Sequence, residues 1–300
     1  MTAMTARTLA QVIDSVATSD GAGVKLRRSL GSSQTLRHDP FLMLDEFYSD
    51  NPEDYLAGFP SHPHRGFETV TYMLDGHMEH RDNFGNRGDL KAGDVQWMTA
   101  AHGIIHSEMP QQSAGRMRGF QLWLNLPAKE KMKPAAYRDI PSRDIPTVGL
   151  AGGGEVRVIA GSLSIDGAVT TGPVNTPAAA ITTDPLYLDV RLPAAANFHA
   201  PIAQGHNAFL YAYEGSAAIG GKTVPNRAAG LLSDGDSVTI QAGADGARFL
   251  LLAAKPLREP VVQYGPFVMN TRDEIEQALA DYQSGKLALT KNQIARLKVM

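Results

Sequence analysis

Four side chains of metal-ligating type stand in two short pairs: His62 and His64 in SHPHRGFETVTYMLDG, and His106 and Glu108 in GIIHSEMP. In extended backbone, residues two apart leave the same face, so each pair presents both of its donors to one side. Two such pairs on two strands can close around one ion. Three imidazoles and a carboxylate suit Fe(II), Mn(II), Ni(II), Cu(II) or Zn(II), and an octahedral ion would keep positions for water, substrate or dioxygen. The chain has no Cys, which excludes thiolate metal sites, disulfides and Cys nucleophiles and leaves His and carboxylate as the donors. An H-x-H or H-x-E alone is weak evidence, because such pairs also occur in turns and satisfied cores. Their co-occurrence in a strand-rich chain is what points to metal.

Other residues compete for roles in such a site. If the extended path runs on from His64, Glu68, Val70 and Tyr72 share its face, which makes Glu68 either a rival for the carboxylate position or a partner of the ligands. Glu108 and Glu68 are both candidates for the base that takes a proton from a bound substrate. Val70, Tyr72, Ile104 and Leu124 are expected to form dry walls around it. His102 has the parity of His106, but Gly103 intervenes, so it is expected in a turn or lining a pocket. His77, Glu79 and His80 follow a Gly turn and alternate faces, which reads as a solvated hairpin, and Trp97 and Met98 read as core.

Positioning two ligand pairs requires strands, and the text supplies them. Gly and Pro number 29 and 18, apolar runs are short, and turn signals recur as in sandwiches and barrels. FETVTYMLDG leading to KAGDVQWM is echoed by NAFLYAYEG leading to LSDGDSVTI, with Gly76 and Gly93 17 residues apart and Gly215 and Gly235 20 apart. The echo predicts one supersecondary unit used twice, hence two similar β-barrels. The polar, Pro- and Lys-rich stretch from Ala128 to Gly154 reads as a connection, so the expected domains are 1–140, metal-binding, and 141–300, metal-free. Aligning the glycines puts Pro201, Ala203, Arg248 and Leu250 at the four ligand positions of the second half, and none can replace them. Helix is confined to a few short places. The clearest is near the C-terminus, where Thr271 and Glu274 form a capping box and Ile275, Ala278, Leu279 and Tyr282 recur at helical spacing up to Gly285.

The bulk numbers narrow the partners. A net charge of -3 and the lack of a Lys/Arg run argue against direct nucleic-acid binding. LAQVIDSVAT is broken by Gln11 and Asp14, and FLLLAA from Phe249 is far too short to span a bilayer, so a cytoplasmic protein with no membrane partner is expected. There is no GxSxG elbow, and GSAAIGGKT has one residue too many for a phosphate-binding loop, so Gly220 and Gly221 read as a hairpin turn.

HPHRGFETVTYMLDG, GDVQWMTAAHGIIHSEMP, QLWLNLPAKEKM, LRRSLGSSQTLRHDPFLMLDEF and YGPFVMNTRDEIEQALADYQSG together resemble the pirin family of the cupin superfamily, over nearly the whole chain. The resemblance implies an all-β bicupin, two cupin-type barrels with a few short helices. It also implies one divalent ion on His62, His64, His106 and Glu108, choosing Glu108 over Glu68. Fe(II) is the first expectation for the metal, with Mn, Ni, Cu, Co or Zn able to take the same ligands. Lys91-Ala92-Gly93 replaces the usual cupin P-x-G, and the Glu68 to Gly76 spacing is one residue longer than the cupin pattern; neither departure touches a ligand. Two functions follow from the family: a dioxygenase of quercetin 2,3-dioxygenase type, acting on a flavonol with O2, or a metal-dependent redox-sensing module whose protein partner is a transcription factor or metabolic enzyme.

Overall fold

Short strands bounded by glycine turns account for almost all of the regular structure. The computed structural model describes residues 5–33 and 36–288. Among these the chain is all-β apart from the helix Arg272–Gln283 and three single 3-10 turns. No helix among them is long and apolar enough to cross a membrane.

Two compact units are present, and neither is contiguous in sequence: one holds residues 17–27, 41–142 and 258–300, the other residues 1–16, 28–40 and 143–257. The chain tails therefore cross over. The C-terminal helix, expected with the second half, belongs to the unit built from the first.

In that first unit a seven-stranded sheet runs Ala136–Ile140, Val95–Thr99, Phe67–Asp75, Met117–Asn125, Phe41–Ser49, Val24–Arg28, Val16–Asp20. A four-stranded sheet runs Phe59–His64, Ile104–Pro110, His77–Asp82, Arg87–Lys91. Met78 and Leu90 of the smaller sheet pack with Phe47, Met73 and Met117 of the larger one in a single buried cluster, so the sheets face each other. Part of the stretch expected as a connection is strand: Ala136–Ile140 pairs along Val95–Thr99 as an edge. Backbone pairing decided this against a composition that suggested loop.

The other unit holds a nine-stranded sheet, whose long strands Asn207–Ile219 and Ser237–Ala254 pair at its centre, and a two-stranded hairpin of Ser162–Ile165 with Ala168–Thr171. Gly220 and Gly221, with φ of 57° and 78°, form the hairpin turn between Ile219 and Lys222 that the sequence predicts. Leu188, Val190, Phe198, Leu210, Ile240, Phe249 and Leu251 lie in its continuous apolar core.

The C-terminal helix forms where its capping box predicts. Thr271 accepts from the Glu274 backbone at 3.2 Å while Glu274 accepts from the Thr271 backbone at 2.9 Å. Ile275 and Ala278 bury with Phe267, Met269 and Leu287, and Ile105 packs against them. The segment ahead of the helix holds the turn after His64: Arg65 N donates to Pro266 and Val268 N donates to Arg65. Gly66, at φ 92°, has room for hydrogen only, since a Cβ there would meet Val268 O at 1.9 Å.

Candidate metal centre

Each ligand pair sits on the smaller sheet for a reason visible in its sequence. Phe59–His64 carries Pro60 and Pro63, which have no backbone N–H to donate, and it is an edge strand with one partner, Ile104–Pro110. Antiparallel pairing sets His106 opposite His62 and Ile104 opposite His64, and directly opposed residues share a face. On its other side the Ile104–Pro110 strand pairs with His77–Asp82, which sets Glu108 opposite His80.

These pairings gather five groups. His62, His64 and His106 offer ligand atoms all within 4.8 Å of one another, and His80, His106 and Glu108 form a second such set that shares His106. His62 Nε2 and His64 Nε2 are 3.0 Å apart. His106 Nδ1 and His80 Nδ1 are 3.2 Å apart. Glu108 is oriented from the facing sheet, with Thr71 Oγ1 3.0 Å from its Oε1 and Gln121 Nε2 3.4 Å from its Oε2. Glu108 is joined to the His62–His64 pair through His106, not gathered with them in one set.

The electrostatics favour ligation. Burial and the neighbouring imidazoles hold His64 and His106 well below the ordinary histidine value, so both rings are neutral donors at neutral pH. His106 Nε2 is buried with no hydrogen-bond partner. An unpaired buried polar atom is costly, and a cation bound there would offset that cost. The residues present therefore fit a divalent ion with N and O ligands.

Glu68 is not brought to this cluster. It is 2% exposed and accepts from Thr99 Oγ1 at 2.6 Å and Trp97 Nε1 at 3.2 Å. Burial pushes its carboxyl up. The extended path assumed for it breaks at Gly66, whose positive φ resets the alternation, so Thr71 and not Glu68 looks toward Glu108. Val70, Tyr72 and Leu124 go with Glu68, since Val70 stands opposite Trp97, and Leu124 opposite Glu68.

His80 corrects the hairpin reading. His77 is paired with Asp89, and Glu79 with Arg81 and Arg87, as a solvated hairpin would have them. His80, however, is 0% exposed and reaches His106. Met78, an apolar residue two positions earlier and also buried, was the available signal that this parity faces inward. A cavity of about 520 Å³ opens beside it, lined by Phe84, Ile104, Met132, Pro134, Ala135 and Tyr137 with Asp82, Asn86 and His102. Tyr137 packs against His80 at 5.4 Å between ring centroids, tilted by 32°. His102 thus lies both in a turn and on a cavity wall.

In the other unit the matching pair is Asn197–Pro201 against the first part of Ser237–Ala254. Its inward positions are Phe198, Ala200, Val238, Ile240 and Ala242, all in the apolar core. Glycine alignment pointed elsewhere, to Pro201, Ala203, Arg248 and Leu250, because Gly215 lies inside a continuous strand and Arg248 falls in the later half of the long one.

Comparison with known proteins gives concordant matches. The chain fits the Pirin family model over residues 23–124 and the Pirin C-terminal cupin domain over residues 187–288. It is 57% identical over 275 residues to a Pseudomonas aeruginosa protein provisionally named quercetin 2,3-dioxygenase, covering 90% of this chain and 94% of that one. It is 42% identical over 276 residues to human pirin, covering 89% of each. A crystal structure of quercetin 2,3-dioxygenase from Acinetobacter baumannii matches with a TM-score of 0.83 at 33% identity, covering 94% of this chain and 99% of that chain.

Proposed function

The chain belongs to the pirin family, and from that premise we propose that it is a metal-dependent dioxygenase that opens flavonols such as quercetin with O2. The observation that carries the proposal is the pair of overlapping sets His62–His64–His106 and His80–His106–Glu108, with Tyr137, which packs against His80, lining a largely apolar cavity of about 520 Å³. That volume falls within the range common for small-molecule sites. The relatives named for quercetin 2,3-dioxygenase support the same reading.

In this reading the three imidazoles hold one ion and Glu108 is its fourth protein ligand, with Fe(II) the first choice of metal. Once bound, a divalent ion would acidify a coordinated flavonol hydroxyl and support chemistry with O2. Glu108 then accepts the 3-hydroxyl proton, its carboxylate steered by Thr71 and Gln121. Glu68 is the alternative base named by the sequence, and its bonds to Thr99 and Trp97 favour Glu108 instead. Phe84, Ile104, Met132 and Pro134 exclude water from the ring system, while Asp82, Asn86 and His102 offer polar groups to its hydroxyls.

The test is to load the apo protein anaerobically with Fe(II), Mn(II), Ni(II), Cu(II), Co(II) or Zn(II) and follow quercetin loss and carbon monoxide release on admitting O2. At least one loaded form should exceed the free ion, and Glu108→Gln should lose most of that rate. No form faster than the free ion, or an undiminished Glu108→Gln, sinks the dioxygenase reading and leaves the metal-dependent interaction module in its place.

A further inference from the structure

Metal-binding histidines depend on what their second ring nitrogen meets. A ring that ligates through Nε2 must carry its proton on Nδ1, and the partner of that N–H fixes both the tautomer and the ring angle. The usual partner is a carboxylate, a backbone carbonyl or water. At His106 the partner is another imidazole. Its Nδ1 lies 3.2 Å from Nδ1 of His80, while its Nε2 is buried with no hydrogen-bond partner and its ring centroid is 4.4 Å from that of His62 and 4.8 Å from that of His64.

We infer that His80 is the positioning residue for His106, accepting the His106 Nδ1–H and so leaving His106 Nε2 free to ligate the ion shared with His62 and His64. The inference rests on the metal reading above and adds a residue to it. Two neutral imidazoles facing through Nδ1 can hold only one hydrogen between them, so the pair has two arrangements. With the hydrogen on His106, the free nitrogen of that ring faces the cluster and His80 carries its own hydrogen on Nε2. With the hydrogen on His80, the His106 proton sits on Nε2 and blocks ligation. Only the first arrangement binds metal.

His80 is placed for this role by the fold. The strand His77–Asp82 sets it opposite Glu108, and it is fully buried. Tyr137, which lines the cavity, packs against the ring at a tilt of 32°. The cavity wall therefore bears on His106 through the tilted Tyr137–His80 pair. An imidazole partner steadies His106 without the negative charge a carboxylate would bring, so a bound ion would keep more of its positive charge for an anionic substrate.

The test compares wild type with His80→Ala and His80→Asn, using Zn(II) as the probe. Asn places an acceptor oxygen close to where His80 Nδ1 stands, so it can replace the hydrogen bond without the ring. Zn(II) affinity, measured against a competing chelator, should fall by roughly 10- to 100-fold in His80→Ala and recover most of that loss in His80→Asn. Nitrogen-15 NMR of histidine-labelled, Zn(II)-loaded wild type should show His106 protonated at Nδ1. Equal affinity in His80→Ala overturns the inference. So does equal weakening in both variants together with a lowered melting temperature, which would mark a structural role alone. A second Zn(II) per chain that disappears in His80→Ala would make His80 a ligand and also overturn it. If wild type binds no Zn(II), the metal reading itself has failed; the His106–His80 bond is then read in the apo spectrum, and its absence there refutes the positioning role independently.

Discussion

His64 and His106 are neutral in the fold because burial and like neighbours penalise the charged ring. In the unfolded chain the same rings take up protons near pH 6.5. Between that value and their lowered native values the unfolded state binds more protons than the folded state, so the stability these rings contribute is present above about pH 6.5 and is lost as pH falls. The apo protein should therefore lose melting temperature steadily between about pH 7 and pH 5. A His64→Asn/His106→Asn variant, which cannot titrate there, should show a flatter profile; identical slopes for the two proteins would refute the assignment. The residue scale also shows which readings a local pattern can make. Spacing pairs His62 with His64 and His106 with Glu108, because it fixes which side chains leave a strand together; the choice of Glu108 over Glu68 came from the resemblance to the pirin family. Glu68 and His80 could not be sorted, because the first lies beyond a glycine that resets parity and the second is set by pairing with a strand remote in sequence.

At the scale of elements, the site hangs on the turn between Phe59–His64 and Phe67–Asp75. Gly66 makes that turn at positive φ with Val268 O pressed against it, and Gly103, ahead of Ile104, is pressed against Leu287 O in the same way. Both ligand strands are thus fixed at one end by the C-terminal segment, and the Arg65 guanidinium, 2.7 Å from Asp281, ties the first of them to the helix. Gly66→Ala should cost about 2 kcal/mol or more, combining the strained φ with a backbone clash. Gly85→Ala is the control, since Gly85 also has positive φ but open space around its Cβ position. Denaturant unfolding decides it: if Gly66→Ala costs no more than Gly85→Ala, the C-terminal segment is not what holds the turn.

At the scale of the whole molecule, two units share a strand plan and differ in what points inward. One turns imidazoles and a carboxylate into the space between its sheets; the other turns in Phe198, Ala200, Val238, Ile240 and Ala242. One ion per chain is therefore expected. Elemental analysis of wild type should approach a stoichiometry of one, and His62→Ala/His106→Ala should approach zero with its melting transition retained, because the apolar clusters that hold the unit together do not include either ring. A stoichiometry near two, or full retention of metal by the double variant, contradicts the assignment.

The sequence by itself determined the all-β class, the doubled unit, the capped helix from Thr271 and the pairing of His62 with His64 and of His106 with Glu108. Each of these rests on a period or a contact within a few residues, which sequence displays directly. Tertiary structure alone decided that His80 joins His106, that Glu68 turns away toward Trp97, that Ala136–Ile140 is an edge strand and that the last helix packs with the first half of the chain. Those outcomes depend on which strands pair and in what register. A register is set by the summed burial of distant apolar faces, and no short stretch of residues carries that sum.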